Sequence, residues 1–243
     1  MPSSPSRQAE LQRLAARPFA HRGLHGAGRI ENSRAAFQAA LDCGHGIELD
    51  VQASRDGEAF VFHDYDLRRL TGREGGVADL PSASLAAITL TGTDETIPPL
   101  PEILALVAGR GGLLIEVKAK GASVYHLCAS VAAALEGYDG PVGVMSFNPH
   151  VGHWFARHRP AILRGMVVTE ENKRGLRGAI ERRLALWRAR PDFLGYDVRD
   201  LPSRFAAACR NRGMPVMTWT VRTAAQRATA AAHADQIIYE DRE

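Results

Sequence analysis

The sequence predicts an α/β fold, a TIM-type (β/α)8 barrel, from three observations. Short apolar runs alternate with alanine-rich helical segments along the chain, a pattern typical of βαβ units and a parallel sheet. The chain has 243 residues, and roughly 250 residues is the usual length of one such barrel. Since no linker, low-complexity tract or repeat divides the sequence, we expect residues 1–243 to form a single domain.

The apolar runs and helical segments can be placed in order along the chain. We predict strands at residues 18–22, 46–52, 59–63, 112–118, 142–147, 162–167, 193–198, 215–220 and 235–239. We predict helices at residues 33–43, 100–109, 122–136, 149–158, 172–189, 203–212 and 223–232. Ser33 can cap the first of these helices, Pro101 suits the first turn of the second, and Gly213 follows the sixth.

One of the nine predicted strands must lie outside an eight-stranded barrel. Residues 53–58 are too few for a crossover helix between the second and third strands, and they contain Asp56-Gly57, a strong hairpin signal. We therefore expect 59–63 to fold back antiparallel against the end of the second strand. Residues 64–98 contain turn residues without a clear period, and we expect a small insertion there, over one mouth of the barrel.

Composition and charge exclude several classes of protein. The chain is 45% hydrophobic and 23% charged, as in ordinary folded proteins, and its formal net charge of +3 is too small to indicate a nucleic-acid partner. The three cysteines form no CxxC pair, which argues against a disulfide framework or a thiolate zinc site. We find neither the apolar core of a signal peptide nor a membrane-spanning run, so we expect a cytoplasmic protein of undetermined oligomeric state.

Three carboxylates lie on two predicted strands that should otherwise be apolar. Alternation along GIELDVQ puts Glu48 and Asp50 on one face, and in GLLIEVK Glu116 and Lys118 share a face. Because parallel strands in a helix-covered barrel are normally apolar, the presence of three acids on these strands requires an explanation. A hard divalent cation would relieve their mutual repulsion, since carboxylate oxygens are its natural ligands. The alternative is that they are solvated acids on the rim.

Two histidines end predicted strands that should reach the same mouth of the barrel. His21 and Arg22 end the first strand, and His63 ends the hairpin strand, where the pairing would place it beside Asp50. The carboxyl ends of barrel strands form the face where active sites lie. A lone histidine is often structural, but we expect these two to converge with the acids, Arg22 and Lys118.

The charge expected for this site suits a phosphodiester. The three carboxylates, one divalent cation, Arg22 and Lys118 give a net charge of about +1, which complements the single negative charge of a phosphodiester. Cleavage needs charge stabilisation at the phosphoryl oxygens, a base for the nucleophile and an acid for the leaving alkoxide. The cation, Arg22 and Lys118 could supply the first, and the two histidines the others.

Five segments, in this order, resemble the glycerophosphodiester phosphodiesterase family. They are FAHRG, the pair Glu31-Asn32, ELDVQASRDG, FVFHD with L-x-R-x-T after it, and IEVK. The resemblance implies a barrel that hydrolyses glycerophosphodiesters to sn-glycerol 3-phosphate and an alcohol with Mg²⁺ or Ca²⁺. By their places in these motifs, the metal ligands would be Glu48, Asp50 and Glu116, the acid–base pair His21 and His63, and the phosphate contacts Arg22 and Lys118.

The resemblance also implies a mechanism, in which the neighbouring glycerol hydroxyl attacks phosphorus and water then opens the cyclic phosphate. Which histidine is base and which is acid stays open. Two alternatives for the function also stay open. One is a lysophospholipase D activity on a monoacylated substrate, and the other is a non-catalytic barrel that binds phosphodiesters.

Two positions depart from the family pattern near the end of the chain. Arg222 follows the WTV run where the family often has Asn, and the last strand ends in Tyr239-Glu240-Asp241. We expect both departures to lie away from the core motif and to affect only selectivity for the alcohol. Trp219 in the WTV run could stack on the glycerol moiety or could simply line the barrel.

The segment 172–190 combines basic residues with an apolar stripe at helical spacing. The stripe consists of Leu176, Ile180, Leu184 and Trp187. We expect it to pack inward on the barrel, with the charges in solvent. The alternative is a basic amphipathic helix in peripheral contact with an anionic membrane.

Overall fold

The computed structural model describes residues 4–26 and 28–241, so residues 1–3, 27 and 242–243 of the predicted domain lie outside the description. The strands described are β1 (Phe19–His21), β2 (Gly46–Ala53), β3 (Ala59–Val61), β4 (Leu113–Val117), β5 (Val142–Ser146), β6 (Leu163–Val168), β7 (Phe193–Asp197), β8 (Val216–Val221) and β9 (Gln236–Tyr239). The α-helices described are α1 (Pro5–Leu14), α2 (Arg34–Asp42), α3 (Arg68–Thr71), α4 (Ser82–Ala86), α5 (Leu100–Val107), α6 (Tyr125–Ala134), α7 (Pro149–His158), α8 (Leu176–Ala189), α9 (Arg204–Arg210) and α10 (Ala224–His233).

All of the described strands except β3 form a closed parallel barrel. The ring runs β1, β2, β4, β5, β6, β7, β8 and β9, and β9 pairs with β1 to close it. β3 pairs antiparallel with β2 outside the ring, with Val61 opposite Val51. The predicted barrel and the predicted hairpin are both confirmed.

The insertion at residues 64–98 has its own small apolar cluster beside β3. It contains α3, α4 and a 3-10 turn at Val77–Asp79. Phe60 and Phe62 pack there against Leu67 and Leu85. No helix in the described ranges is both long and apolar enough to cross a bilayer.

Residues along β2 alternate between the helix layer and the barrel interior, as predicted. Ile47, Leu49 and Val51 are fully buried in the cluster that joins the strands to the surrounding helices. Glu48 and Asp50 point the other way and line the interior at the carboxyl end of the strand. Period-2 alternation therefore brings carboxylates into a barrel whose outer surface is apolar.

Helix α1, which the sequence analysis did not predict, packs at the amino-terminal ends of the strands. Leu11 and Leu14 are buried in one cluster with barrel side chains. A Cβ atom on Gly143 of β5 would lie 2.9 Å from Leu14 Cδ2, so the glycine leaves room for the leucine. Arg7 also anchors the helix by donating to Asp192 Oδ1 at 2.9 Å. Only two apolar side chains of α1 are buried, which explains why no helical period was visible.

The expectation that the apolar stripe of α8 packs inward is wrong. Leu176 is 79% exposed and Trp187 is 74% exposed. The helix instead packs on the molecule through another face: Ala189 is buried in a core cluster, and Ala185 and Leu186 pack against that cluster. A Cβ atom on Gly152 of α7 would lie 2.8 Å from Ala189 Cβ, so this close approach admits only small side chains.

We expect the substitution Leu14→Ala to lower the free energy of unfolding by about 3 kcal/mol, because it leaves a cavity at the closed end of the barrel. Leu176→Ala, on an exposed leucine, is the matched control and should change it by less than about 0.5 kcal/mol. Urea unfolding of both variants measures the difference. Equal effects would show that α1 contributes nothing to the barrel core.

Candidate active site

Three carboxylates from two adjacent strands meet at the carboxyl end of the barrel. Glu48 and Asp50 lie on β2, and Asp50 is directly opposite Glu116 of β4 in the parallel register. One oxygen of each side chain lies within 4.8 Å of one oxygen of the other two. Glu48 and Asp50 are each 1% exposed and Glu116 is 9% exposed, so these are not solvated rim acids.

Two cations offset part of this negative charge. Lys118 Nζ lies 3.2 Å from Asp50 Oδ1 and 2.8 Å from Glu116 Oε1, and Arg22 Nε lies 3.3 Å from Asp50 Oδ2. Burial would raise the pKa of Asp50, but Lys118 and Arg22 hold it at about 2. Burial and the charges of Asp50 and Glu116 raise the pKa of Glu48 well above its usual range. If all three carboxylates ionise, the cluster carries one more negative charge than Lys118 and Arg22 balance.

The turn after β1 fixes Arg22 against the carboxylates. Its backbone is left-handed at φ 57°, its N–H donates to Glu48 Oε2 at 3.2 Å, and its Nη1 donates to Glu31 Oε1 at 2.8 Å. Gly23 follows with φ 80°, and a Cβ there would lie 2.8 Å from the backbone of Ala36 in α2. The glycine of the HRG run is needed for this close approach.

His63 reaches the carboxylates through the hairpin. The Phe62 N–H donates to the Asp50 carbonyl oxygen at 3.0 Å, which continues the pairing of β3 with β2 and carries His63 to the predicted place. His63 Nδ1 lies 2.7 Å from Asp64 Oδ1, and Arg69 Nε donates to Asp64 Oδ2 at 2.5 Å. Burial lowers the pKa of His63, which favours the neutral imidazole.

His21 has an equivalent carboxylate partner, and this corrects an expectation about the end of the chain. His21 Nδ1 lies 2.6 Å from Glu240 Oε1, and Arg222 Nε donates to Glu240 Oε2 at 2.6 Å. Glu240 and Arg222, expected to lie away from the core motif, therefore contact it. Burial lowers the pKa of His21, whereas the bonds from His21 and Arg222 hold the pKa of Glu240 well below its usual range.

One cavity of about 290 Å³, here called the mouth cavity, collects every residue that the sequence analysis selected. Its lining includes His21, Arg22, Glu48, Asp50, His63, Glu116, Lys118 and Trp219. The rest of the lining includes charged Asp197 and Arg199 and the apolar side chains of Met145, Phe147 and Val167. The rings of Phe147 and Trp219 meet edge to face with centroids 5.5 Å apart. The cavity thus combines the histidines, acids and cations, here called its charged wall, with an adjoining group of apolar side chains, here called its apolar wall.

Polar residues outside the predicted site hold the charged wall in place, and among them sequence reasoning missed the contacts of Arg69 and Glu240. Arg69 of the insertion donates to both oxygens of Glu31 at 2.7 and 2.9 Å. Asn32, 1% exposed, donates to Asp50 Oδ2 at 3.0 Å. Glu240 directly follows β9, and its place at a strand end was a usable signal, because all such ends meet at one rim. The contact between the insertion and Glu31 had no comparable signal.

Comparison with known proteins agrees with this geometry. The model of the glycerophosphoryl diester phosphodiesterase family matches residues 21–241. The chain belongs to this family.

Members of the phosphodiesterase family are similar to this chain in sequence and in fold. A glycerophosphodiester phosphodiesterase from Bacillus altitudinis is 42% identical over 116 residues, covering 44% of this chain and 46% of that protein. A lysophospholipase D from Rattus norvegicus is 37% identical over 110 residues, covering 40% of this chain and 34% of that protein. These matches thus span less than half of either curated relative.

A solved structure supports the fold over nearly the whole chain. It is an Oleispira antarctica phosphodiesterase in complex with the product sn-glycerol-3-phosphate, with a TM-score of 0.80 and 24% identity. The superposition covers 92% of each chain. At this identity the likeness shows the barrel fold that the two proteins share.

The three carboxylates could hold a divalent cation. They supply only oxygen atoms, as hard cations prefer, and they lie close enough together for one ion to contact all three. The raised pKa of Glu48 has the same origin, because its ionisation adds a third negative charge to a buried cluster. A cation would remove this penalty.

We expect Glu48→Gln to gain stability relative to the wild type in the presence of a chelator, as the pH rises above about 4.3, the ordinary pKa of glutamate. Because the folded state keeps the Glu48 proton while the unfolded state loses it, rising pH destabilises the wild-type fold but not the variant. Urea unfolding of both proteins across this pH range measures the difference. A saturating divalent cation should reverse the order, and a difference independent of pH and cation would contradict this account.

Proposed function

We propose that the chain is a metal-dependent glycerophosphodiester phosphodiesterase. The observation that carries this proposal is the mouth cavity, where two imidazoles, three carboxylates and two cations line one wall. Charge stabilisation, a base and an acid are the three requirements for cleaving a phosphodiester. Membership of the family makes this reaction class the first expectation.

In this proposal Glu48, Asp50 and Glu116 hold the cation, which is Mg²⁺ or Ca²⁺. When bound, it withdraws electron density from a phosphoryl oxygen and stabilises negative charge there. Arg22 and Lys118 contact the remaining phosphoryl oxygens as phosphate ligands. Their ion pairs with Asp50 and with Glu116 fix both side chains before substrate binds.

The two histidines move protons in the proposed reaction. Each uses Nδ1 for a carboxylate, Glu240 or Asp64, and keeps Nε2 for the substrate. One imidazole takes the proton of the neighbouring glycerol hydroxyl as its oxygen bonds to phosphorus. The other gives a proton to the alcohol oxygen as its bond to phosphorus breaks. Water then opens the cyclic phosphate to sn-glycerol 3-phosphate.

The size of the mouth cavity favours a deacylated substrate. At about 290 Å³ it lies at the lower end of small-molecule sites, and a long acyl chain would extend beyond it. Trp219 and Phe147 form the apolar wall on which the glycerol moiety can stack. A lysophospholipase D activity is the second candidate, and it requires the acyl chain to leave the cavity past this wall.

The observation that favours this second candidate is the likeness to a protein named lysophospholipase D, together with the apolar wall. A monoacylated substrate would place its phosphodiester against the same charged wall, with the acyl chain passing Phe147, which is 44% exposed at the rim. A barrel that binds phosphodiesters without cleaving them is the remaining alternative. Rates on glycerophosphocholine and on lysophosphatidylcholine separate the two activities, and binding without turnover identifies the third.

We expect the wild type to release sn-glycerol 3-phosphate from glycerophosphocholine or glycerophosphoethanolamine, and an excess of chelator to abolish the release. His63→Ala should lower turnover by about 10²–10⁴-fold, because it removes an acid–base group. His126→Ala, on an exposed histidine of α6, is the matched control and should keep full turnover. Full activity in chelator would refute the role of the cation, and unchanged turnover in His63→Ala would refute that of His63.

We expect Glu240→Ala to lower turnover by about 10–100-fold, because His21 loses the carboxylate that orients its imidazole. The neighbouring Asp241→Ala is the matched control, since Asp241 pairs with exposed Arg227 instead. Steady-state rates on glycerophosphocholine measure both effects. Equal losses in the two variants would mean that Glu240 acts only through the local fold.

A further inference from the structure

Helix α8 presents an apolar stripe to solvent. Here called the α8 stripe, it consists of Leu176, Ile180, Leu184 and Trp187, which are 79%, 48%, 59% and 74% exposed. At 1.5 Å rise per residue it runs for roughly 16 Å along the helix. Large apolar side chains scattered singly on a surface are ordinary, but four in one row mark a contact surface.

Positive charge borders the α8 stripe on both sides. On a helical projection Arg177 lies on one flank and Arg183 on the other, and exposed Arg190 follows the end of the helix. The one acid in the helix, Glu181, is paired with Arg177 at 3.1 Å. An exposed apolar row between arginines is the pattern of helices that lie in a membrane interface.

A basic groove continues this charge from α8 to α9. It has a volume of about 950 Å³, is here called the arginine groove, and its lining includes Arg174, Arg182, Arg183, Arg199, Arg204 and Arg212. Within the described ranges, Arg183, Arg204 and Arg212 form no ion pair with the acids nearby. Unpaired guanidinium groups beside an apolar row can bind phosphate groups while the row enters an apolar phase.

We propose that α8 and the arginine groove form a docking surface for an anionic phospholipid membrane. The α8 stripe enters the interface between headgroups and acyl chains, and the arginines on its flanks and in the groove contact lipid phosphates. Docking uses none of the residues placed in the mouth cavity except Arg199, so it can be tested apart from the proposed reaction.

Charge argues against a second copy of this chain as the occupant. Two α8 stripes packed face to face would bring the arginines of both flanks against one another, and like charges repel at such distances. An anionic lipid surface removes this repulsion, because its phosphates complement the same arginines. The apolar row and its charged flanks thus favour the same occupant.

The experiment is flotation of the full chain with vesicles of phosphatidylcholine, with or without about 30% phosphatidylglycerol. We expect binding to the anionic vesicles and little to the neutral ones. The double variant L184S/W187S should bind at least tenfold more weakly, because the stripe loses its apolar area. Y125S, which changes an exposed tyrosine of α6, is its matched control and should bind like the wild type.

The double variant R183E/R204E tests the charge. It should weaken binding by more than about 25-fold, since each arginine near an anionic surface contributes about fivefold and each new glutamate is repelled by it. R110E, at an exposed arginine between α5 and β4, should bind like the wild type. Circular dichroism of every variant shows that it is folded.

Three results would overturn the proposal. One is a wild type that stays unbound with anionic vesicles. Another is the finding that the folded L184S/W187S variant binds anionic vesicles as tightly as the wild type. The third is a wild-type dimer that L184S/W187S converts into a monomer, because the stripe would then be covered by a second copy.

Discussion

Three carboxylates buried at one end of the barrel set the main constraint on this molecule. Glu48, Asp50 and Glu116 repel one another in a place that water screens poorly, and Lys118 and Arg22 compensate only part of their charge. A cluster of this kind needs a further positive charge to be stable when fully ionised. The pKa of Glu48 is raised because this charge is missing, and a divalent cation would supply it.

The barrel and much of the candidate site could be predicted from the sequence, because both follow from short-range patterns. Period-2 alternation placed Glu48 and Asp50 inside the barrel, and the turn at Asp56-Gly57 fixed the register that carries His63 to them. The geometry of parallel strands predicted that the remaining site residues come together, since the carboxyl ends of the strands meet at one rim.

Contacts that depend on side-chain packing between distant segments could not be predicted. Helix α1 buries too few apolar residues to show a helical period. It covers the amino-terminal end of the barrel only because Leu14 packs against side chains of the barrel interior. The stripe of α8 was expected to pack inward, but the helix packs through Ala185, Leu186 and Ala189 instead. The contact of Arg69 with Glu31 joins the insertion to the turn after β1, and neither spacing along the chain nor a strand end indicates it.

The most direct test of the central claim is anomalous diffraction from crystals grown with Mn²⁺, an ion suited to oxygen ligands. We expect one anomalous peak within about 2.6 Å of a carboxylate oxygen from each of Glu48, Asp50 and Glu116. Crystals in which these carboxylates contact only Lys118 and Arg22, with no peak between them, would contradict the account.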